Sequence, residues 1–514
     1  MESMSMNKLI FIFLLLTFAF GVRAQQTIIS GSVPSDPEAE ITLFKIDDPV
    51  SAHKTVVKTT YVDARGNFQF RVFPEEIEQY VLRVGERNAG IFVEPERVYN
   101  IMIPPFPGDK PKKFFVTLNR VDPVFEELPS DDINNLIANF NLRYESFYSE
   151  NYPEIARSSG SGHKAFKNAQ RKNLENTSMI TDGDTLRQSA GVDEYYELVL
   201  DFEEEIDSLY SKIDKPFFKS YVNYAIGKMK LSAGLQKQPA YEQYLKGEEV
   251  LSDHPEYLNF FTAFHGRAFR EITQSKEGIG LKSALNNADG REAVLAALDS
   301  VYAYTPTADE KDLLIITQVQ RVFSEGYYSK NALLALLEDV SKDSGNEHLA
   351  EMASHVRTQL AQTMAGYKLE SFKLLNAKNE MVTLSDFEGQ FVYISFFATW
   401  NRSSLRELSM IKNLEKEYGK EITFLSISMD SSYPDYKKFM QSQMDYDWQF
   451  LYGAGDKLLQ EKMGVYTLPY FIMIDPEGKK MFSYAKMPSE GIEEVFYRIQ
   501  NGSKKGEKIK FWDD

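Results

Sequence analysis

Val392-Tyr393-Ile394-Ser395-Phe396-Phe397-Ala398-Thr399-Trp400-Asn401-Arg402-Ser403-Ser404 is the stretch on which the fold of this chain turns. Val392 to Phe397 is a continuous apolar run, the pattern of a strand covered on both faces. Asn401 is a favoured helix N-cap type, backed by Ser403 and Ser404, and Leu405 to Tyr418 then reads as a helix. Downstream, Ile422 to Met429 is a second buried strand, Pro434 to Gln443 a helix and Leu458 to Met463 a shorter one. Pro469 to Ile474 and Lys480 to Tyr484 are expected as closing strands, and Glu490 to Gln500 as the last helix. Strands alternating with helices predict a sheet with helices on both faces over residues 369–502.

Upstream the pattern differs. Thr27 to Val33, Ile41 to Ile46, Thr55 to Val62 and Phe68 to Val72 are short runs rich in β-branched and aromatic residues. Tyr80 to Val84, Gly90 to Val93, Tyr99 to Ile103 and Phe114 to Leu118 continue them, so residues 26–118 are expected to form a small antiparallel β-sandwich. Over 122–364 the period becomes helical. Ile133, Leu136, Ile137, Phe140, Tyr144 and Phe147 share one face, Pro216 opens another helix, and Thr307 with Glu310 is a capping box. The polar stretch 157–191, with Ser159-Gly160-Ser161-Gly162, is expected to be a loop, and 503–514 a polar tail. The fold class is therefore multidomain: a β-sandwich, an all-α middle and a C-terminal α/β domain.

Composition limits the function. Hydrophobic residues at 43% and charged residues at 26% are globular proportions. A net charge of −17 repels phosphate backbones, so no nucleic-acid partner is expected. Leu9 to Phe20 is an apolar run too short to span a bilayer, preceded by Lys8 and followed by Val22 and Ala24 at the small-residue positions before a cleavage point. Residues 1–24 thus read as a signal peptide, with Met6 the alternative start because Glu2 is out of place in such a segment. The chain has no cysteine, which excludes disulfides, thiol nucleophiles, thiolate metal sites and a lipid-modified cysteine. The expected location is periplasmic or otherwise exported, soluble and not lipid-anchored, with no integral membrane segment after cleavage. No Gly-rich phosphate loop is present, Glu203-Glu204-Glu205 reads as a solvated helix face, and His254 and His265 lack the spacing of metal ligands. Neither metal nor cofactor is expected.

The segment Phe396 to Ser404 resembles the active-site strand and turn of the thioredoxin superfamily, above all its exported TlpA/ResA-type branch, where Trp-Cys-x-x-Cys follows such a strand. Met381-Val382-Thr383-Leu384-Ser385-Asp386-Phe387-Glu388-Gly389 is similar to that branch's opening hairpin. Gly464-Val465-Tyr466-Thr467-Leu468-Pro469 resembles the segment ending in its cis-proline, and Ile474-Asp475-Pro476-Glu477-Gly478 its hairpin turn. The three-part layout also resembles envelope proteins common in Bacteroidetes.

The resemblance implies a thiol–disulfide oxidoreductase. One thiol would ionise at the helix N-terminus and attack a disulfide, and the second would resolve the mixed disulfide. Here Asn401 and Ser404 hold the two positions, and Ser395 stands where thioredoxins proper carry a buried acid. Neither Asn401 nor Ser404 can form an S–S bond, so no catalytic residue is expected. Ser404 would need a base to act as a nucleophile, and all six histidines lie outside the domain. The resemblance also implies a groove in which Leu468, before cis-Pro469, offers its backbone to an extended peptide beside Trp400, with Arg402 a cation at the rim. The expected binding residues are Trp400, Asn401, Arg402, Ser403, Leu468 and Pro469, and the expected partner a polypeptide or envelope protein. Two readings stand beside this one. One is an oxidoreductase by descent, with activity lost or dependent on a partner's thiols; the other is a structural envelope module in which Trp400 and Pro469 serve only the fold.

Overall fold

The computed structural model describes residues 26–85, 87–105, 120–153, 155, 182–443 and 445–505, with backbone alone for 182–193 and 503–505. The expected signal segment 1–24 and the stretches 114–118, 157–181 and 506–514 lie outside the described residues. Contacts divide the chain into two units. Among the described residues, the first comprises those up to 46, those from 55 to 105 and 120–139, and the second 47–54 and those from 140 onward.

In the first unit two sheets share one core. Strands β1 (Thr27–Ser32), β4 (Asn67–Val72), β7 (Val98–Met102) and β9 (Val124–Phe125) form one sheet in the order β4-β1-β7-β9. β2 (Glu40–Asp48), β3 (His53–Tyr61), β5 (Glu78–Val84), β6 (Arg87–Val93) and β8 (Arg120–Val121) form the other, in the order β3-β2-β5-β6-β8. Alternating residues such as Ile29, Phe70, Leu82, Ile91, Tyr99 and Ile101 point into the shared core. The pairing is mixed rather than purely antiparallel, because β1 runs parallel to β7 and β6 parallel to β8. β7 rejoins the first sheet after the β5–β6 hairpin has been laid in the second, and the crossover brings it in parallel to β1.

The second unit begins with helices. α1 (Ile133–Glu150) starts in the first unit, and α2 (Asp182–Tyr210) and α3 (Pro216–Ser232) follow. α4 (Lys237–Tyr244), α5 (Pro255–His265), α6 (Ala268–Thr273), α7 (Ile279–Asn287) and α8 (Arg291–Val301) come next, then α9 (Ala308–Val322), α10 (Lys330–Asp343) and α11 (Glu347–Ala361). Their aromatic stripes are core: Phe260, Phe261, Phe264 and Phe269 are buried with Leu313 to Ile316. The Thr307–Glu310 capping box is present in both directions. Residues 182–191, expected within a loop, are the first turns of α2. Once a helix has a packed nucleus, each further residue adds a bond at small cost.

His254 is not inside α5 but caps it. Its Nδ1 accepts from the Tyr257 amide at 3.3 Å, and its Nε2 lies 3.1 Å from the Phe217 carbonyl. His265 closes the same helix with Nδ1 on the Tyr302 hydroxyl, while its buried Nε2 has no hydrogen-bond partner.

The C-terminal region forms a six-stranded sheet in the order β11-β10-β14-β13-β12-β15. Its strands are β10 (Lys373–Asn376), β11 (Met381–Thr383), β12 (Phe391–Phe397), β13 (Ile422–Ser428), β14 (Gln449–Tyr452) and β15 (Tyr470–Ile474). β12, β13 and β14 run parallel, while β15 lies antiparallel to β12 and β10 to β14. α12 (Arg402–Tyr418), α13 (Tyr433–Ser442), α14 (Leu459–Met463) and α15 (Glu493–Lys505) complete the domain. Tyr393 and Phe397 pack with α12 and α15 through Leu408, Ile411 and Phe496, and Val392, Ile394 and Phe396 pack on the other face with Leu459, Met463 and Leu468. That two-sided burial is why β12 is apolar but for Ser395, whose hydroxyl is satisfied inside the sheet by Ser426.

The expected closing strand at Lys480 to Tyr484 does not form. Lys479 and Lys480 make only single bridges, and their backbone is shared with the linker: Gly366 N donates to Lys480 O at 2.7 Å and Lys480 N to Tyr367 O at 2.8 Å.

Candidate functional site

The turn from β12 into α12 is fixed from below by one carboxylate. Asp430 is buried at the end of β13 and accepts from the Thr399 amide at 3.0 and 3.2 Å, the Thr399 hydroxyl at 2.9 Å and the Ser428 hydroxyl at 2.6 Å. Burial pushes its pKa up, against the lowering effect of those donors. Residues 398–400 are thereby held, and Trp400 leaves the turn 43% exposed.

Asn401 is the N-cap of α12. Its Oδ1 accepts from the Ser404 amide at 2.9 Å, the usual role of the residue type. Its Nδ2 donates to the Leu468 carbonyl at 3.3 Å, so one side chain ties the helix start to the loop before the proline. The Leu468–Pro469 peptide is cis. Asn401, Ser404 and Leu468 are all buried, and the Ser404 hydroxyl has no hydrogen-bond partner. Ser395 is buried as well, bonded to the Ser426 hydroxyl at 2.7 Å rather than aimed at the turn.

The six residues expected to bind are close in space but not equivalent. Asn401 and Leu468 form a closed centre, while Trp400 and Arg402 are exposed beside it. Ser403 and Pro469 face an open cavity of about 540 Å³, which Arg406, Glu407, Thr467, Tyr470, Tyr484, Met487 and Ser489 complete. Glu407 is 4% exposed, and its Oε2 accepts from the Ser489 amide at 3.0 Å. Tyr484 stands at the rim with its hydroxyl on Glu490 Oε2 at 2.9 Å; burial and that carboxylate together push its pKa up to about 12.

Sequence reasoning missed the far wall of this cavity. A signal for Glu407 existed: it falls on the buried stripe of α12, with Ser404, Leu408, Ile411 and Leu414, where a carboxylate is out of place. Residues 484–489 have no periodicity that would have marked them. Among the described residues no group of three or more His, Cys, Asp or Glu side chains is placed to hold a metal ion. Among the same residues no helix is long and apolar enough to cross a membrane.

Residues 365–480 match the sequence model of the AhpC/TSA family. The thioredoxin-like protein YneN of Bacillus subtilis is 24% identical over 113 residues, which is 22% of this chain and 66% of that one. The thiol-disulfide oxidoreductase ResA of Bacillus thuringiensis is 24% identical over 136 residues, 26% of this chain and 78% of the relative. Among solved structures, the thioredoxin domain of a Bacteroides vulgatus thiol-disulfide oxidoreductase covers 26% of this chain and 97% of its own, at 20% identity and a TM-score of 0.25. A thiol:disulfide interchange protein from Bacteroides sp. covers 28% and 95%, at 22% identity and a TM-score of 0.25. The first of these relatives is thus spanned over about two thirds of its length. The family match falls on the same stretch as the central parallel strands, the antiparallel β15, the helix capped at Asn401 and the cis-proline facing it. The C-terminal region of this chain is a thioredoxin-like domain.

Proposed function

We propose that the chain is an exported, thiol-free thioredoxin-like protein that binds a polypeptide or envelope partner at the cavity between α12 and the Thr467–Tyr470 loop. The observation that carries this reading is the replacement of the redox pair by a cap. With no cysteine in the chain, Asn401 occupies the helix N-terminus and bonds across to Leu468, while an aromatic and polar cavity stays open beside it. A groove that kept its walls without its thiols fits recognition better than electron transfer. Because the Leu468 carbonyl already accepts from Asn401, side chains entering the cavity carry more of the grip than strand addition would.

The test is a pull-down with the full chain against Trp400→Ala and Tyr470→Arg, alongside an insulin-reduction assay. Partner capture lost in both variants at unchanged unfolding midpoint supports the reading, and turnover of insulin by the wild-type chain overturns it. The oxidoreductase ancestry of relatives such as ResA favours a second reading, in which only the thiols were lost. Reductase activity regained by Asn401→Cys with Ser404→Cys would support that one.

A further inference from the structure

The tip between β2 and β3, residues 47–54, belongs to the second unit and is closed on itself by Asp48. Asp48 Oδ1 accepts from the Ser51 amide at 2.7 Å and Oδ2 from the Ser51 hydroxyl at 2.6 Å. Gln320 on α9 donates to the Val50 carbonyl at 3.0 Å, Gln359 on α11 to the Ser51 carbonyl at 3.2 Å, and Lys54 pairs with Glu461 of α14 at 2.5 Å.

Two histidines meet across this contact. The ring of His53, from the tip, lies on that of His355, from α11, with centroids 3.8 Å apart and planes 14° from parallel. His53 Nδ1 is 2.8 Å from Asp47 Oδ2, and His355 Nδ1 is 2.7 Å from Asp48 Oδ2. Near-parallel rings aim their remaining nitrogens along near-parallel lines, so the pair does not converge on one metal ion. It is arranged to hold a proton instead. An imidazolium lying on a neutral imidazole is a cation–π contact, and each Nδ1 already faces a carboxylate.

We propose that the His53–His355 stack is a proton-operated clasp that holds the 47–54 tip against α11 in acid and loosens it in alkali. The charged groups acting on His53 are Asp47 and Asp48 from the tip and Glu370 from the linker after α11, all carboxylates, while Lys54 of the tip is paired with Glu461 of α14. Those carboxylates accordingly raise the pKa of His53, chiefly through the Asp47 hydrogen bond, with burial opposing. A histidine whose pKa is raised on docking stabilises the docked form fully below its free value, and that stabilisation is lost as pH rises through the docked value.

Hydrogen exchange of the 50–54 amides in the full chain, corrected for intrinsic rates, tests this between pH 5.5 and 8. Protection is expected to fall severalfold over that range as the docked form loses its proton. His53→Gln, at a partly exposed position, should flatten the dependence while α11 stays protected, and Asp47→Asn should reduce it. Equal protection at the two pH values in the wild type, or an undiminished fall in His53→Gln, would overturn the clasp.

Discussion

Asn401 and Leu468 are joined side chain to backbone across the centre of the thioredoxin-like domain, Nδ2 to carbonyl at 3.3 Å, while the same Asn401 side chain caps α12 through Oδ1. One residue therefore does two separable things. It satisfies an amide at the helix N-terminus, and it closes the loop before Pro469 onto that helix. Both contacts are buried, so each should register in stability as well as in the shape of the groove.

The two roles predict different costs. Asn401→Ala should lower unfolding free energy by about 1–2 kcal/mol, since it removes cap and tie together. Asn401→Ser retains a capping oxygen and should lose less, about 0.5–1 kcal/mol. Urea denaturation of both variants checks the order, and equal losses would assign the whole effect to the tie with Leu468.

Asp430 holds Thr399 by amide and hydroxyl, and Thr399 precedes Trp400. Asp430→Ala leaves the Thr399 amide and two hydroxyls short of an acceptor and should cost about 2–3 kcal/mol. Trp400 emission should shift at the same time, because its turn is no longer pinned; comparison with Asp430→Ala carrying Trp400→Phe isolates that signal.

Lys480 is buried, donates to the Gln362 carbonyl at 2.8 Å, and has its pKa lowered to about 8 by burial. Between pH 8 and 10.5 the unfolded chain binds the extra proton, so stability should rise with pH across that window, by up to about 3 kcal/mol. Lys480→Met should remove this rise, as read from denaturation midpoints at pH 7.5 and 10.

His265 behaves in the opposite sense to His53. Burial lowers its pKa to about 3, so it folds neutral, and its stabilisation is complete above 6.5 and lost as pH falls below it. His265→Gln should make the helical region less acid-sensitive between pH 6.5 and 4, measured by circular dichroism at fixed denaturant.

Much of this domain was legible because its signals are local. The apolar run at Val392–Phe397, the N-cap Asn401 and the Leu468-Pro469 pair each announce themselves within a few residues. What was missed depends on packing across the chain. Glu407 meets the Ser489 amide from 82 residues away, and Asp430 meets Thr399 from 31. At Lys480, where the expected strand would begin, the linker at 366–367 takes both backbone groups, a competition no short window contains. The His53–His355 stack joins residues some 300 positions apart, each unremarkable in its own segment.

The central claim is recognition without thiols, and crosslinking from the cavity rim tests it most directly. A photoreactive amino acid replacing Tyr484 in the full chain, expressed in its own envelope, should give polypeptide adducts that survive reductant. Those adducts should disappear when Thr467→Arg fills the cavity at unchanged unfolding midpoint. Adducts indifferent to Thr467→Arg, or none at all beside measurable insulin reduction by the unmodified chain, would contradict it.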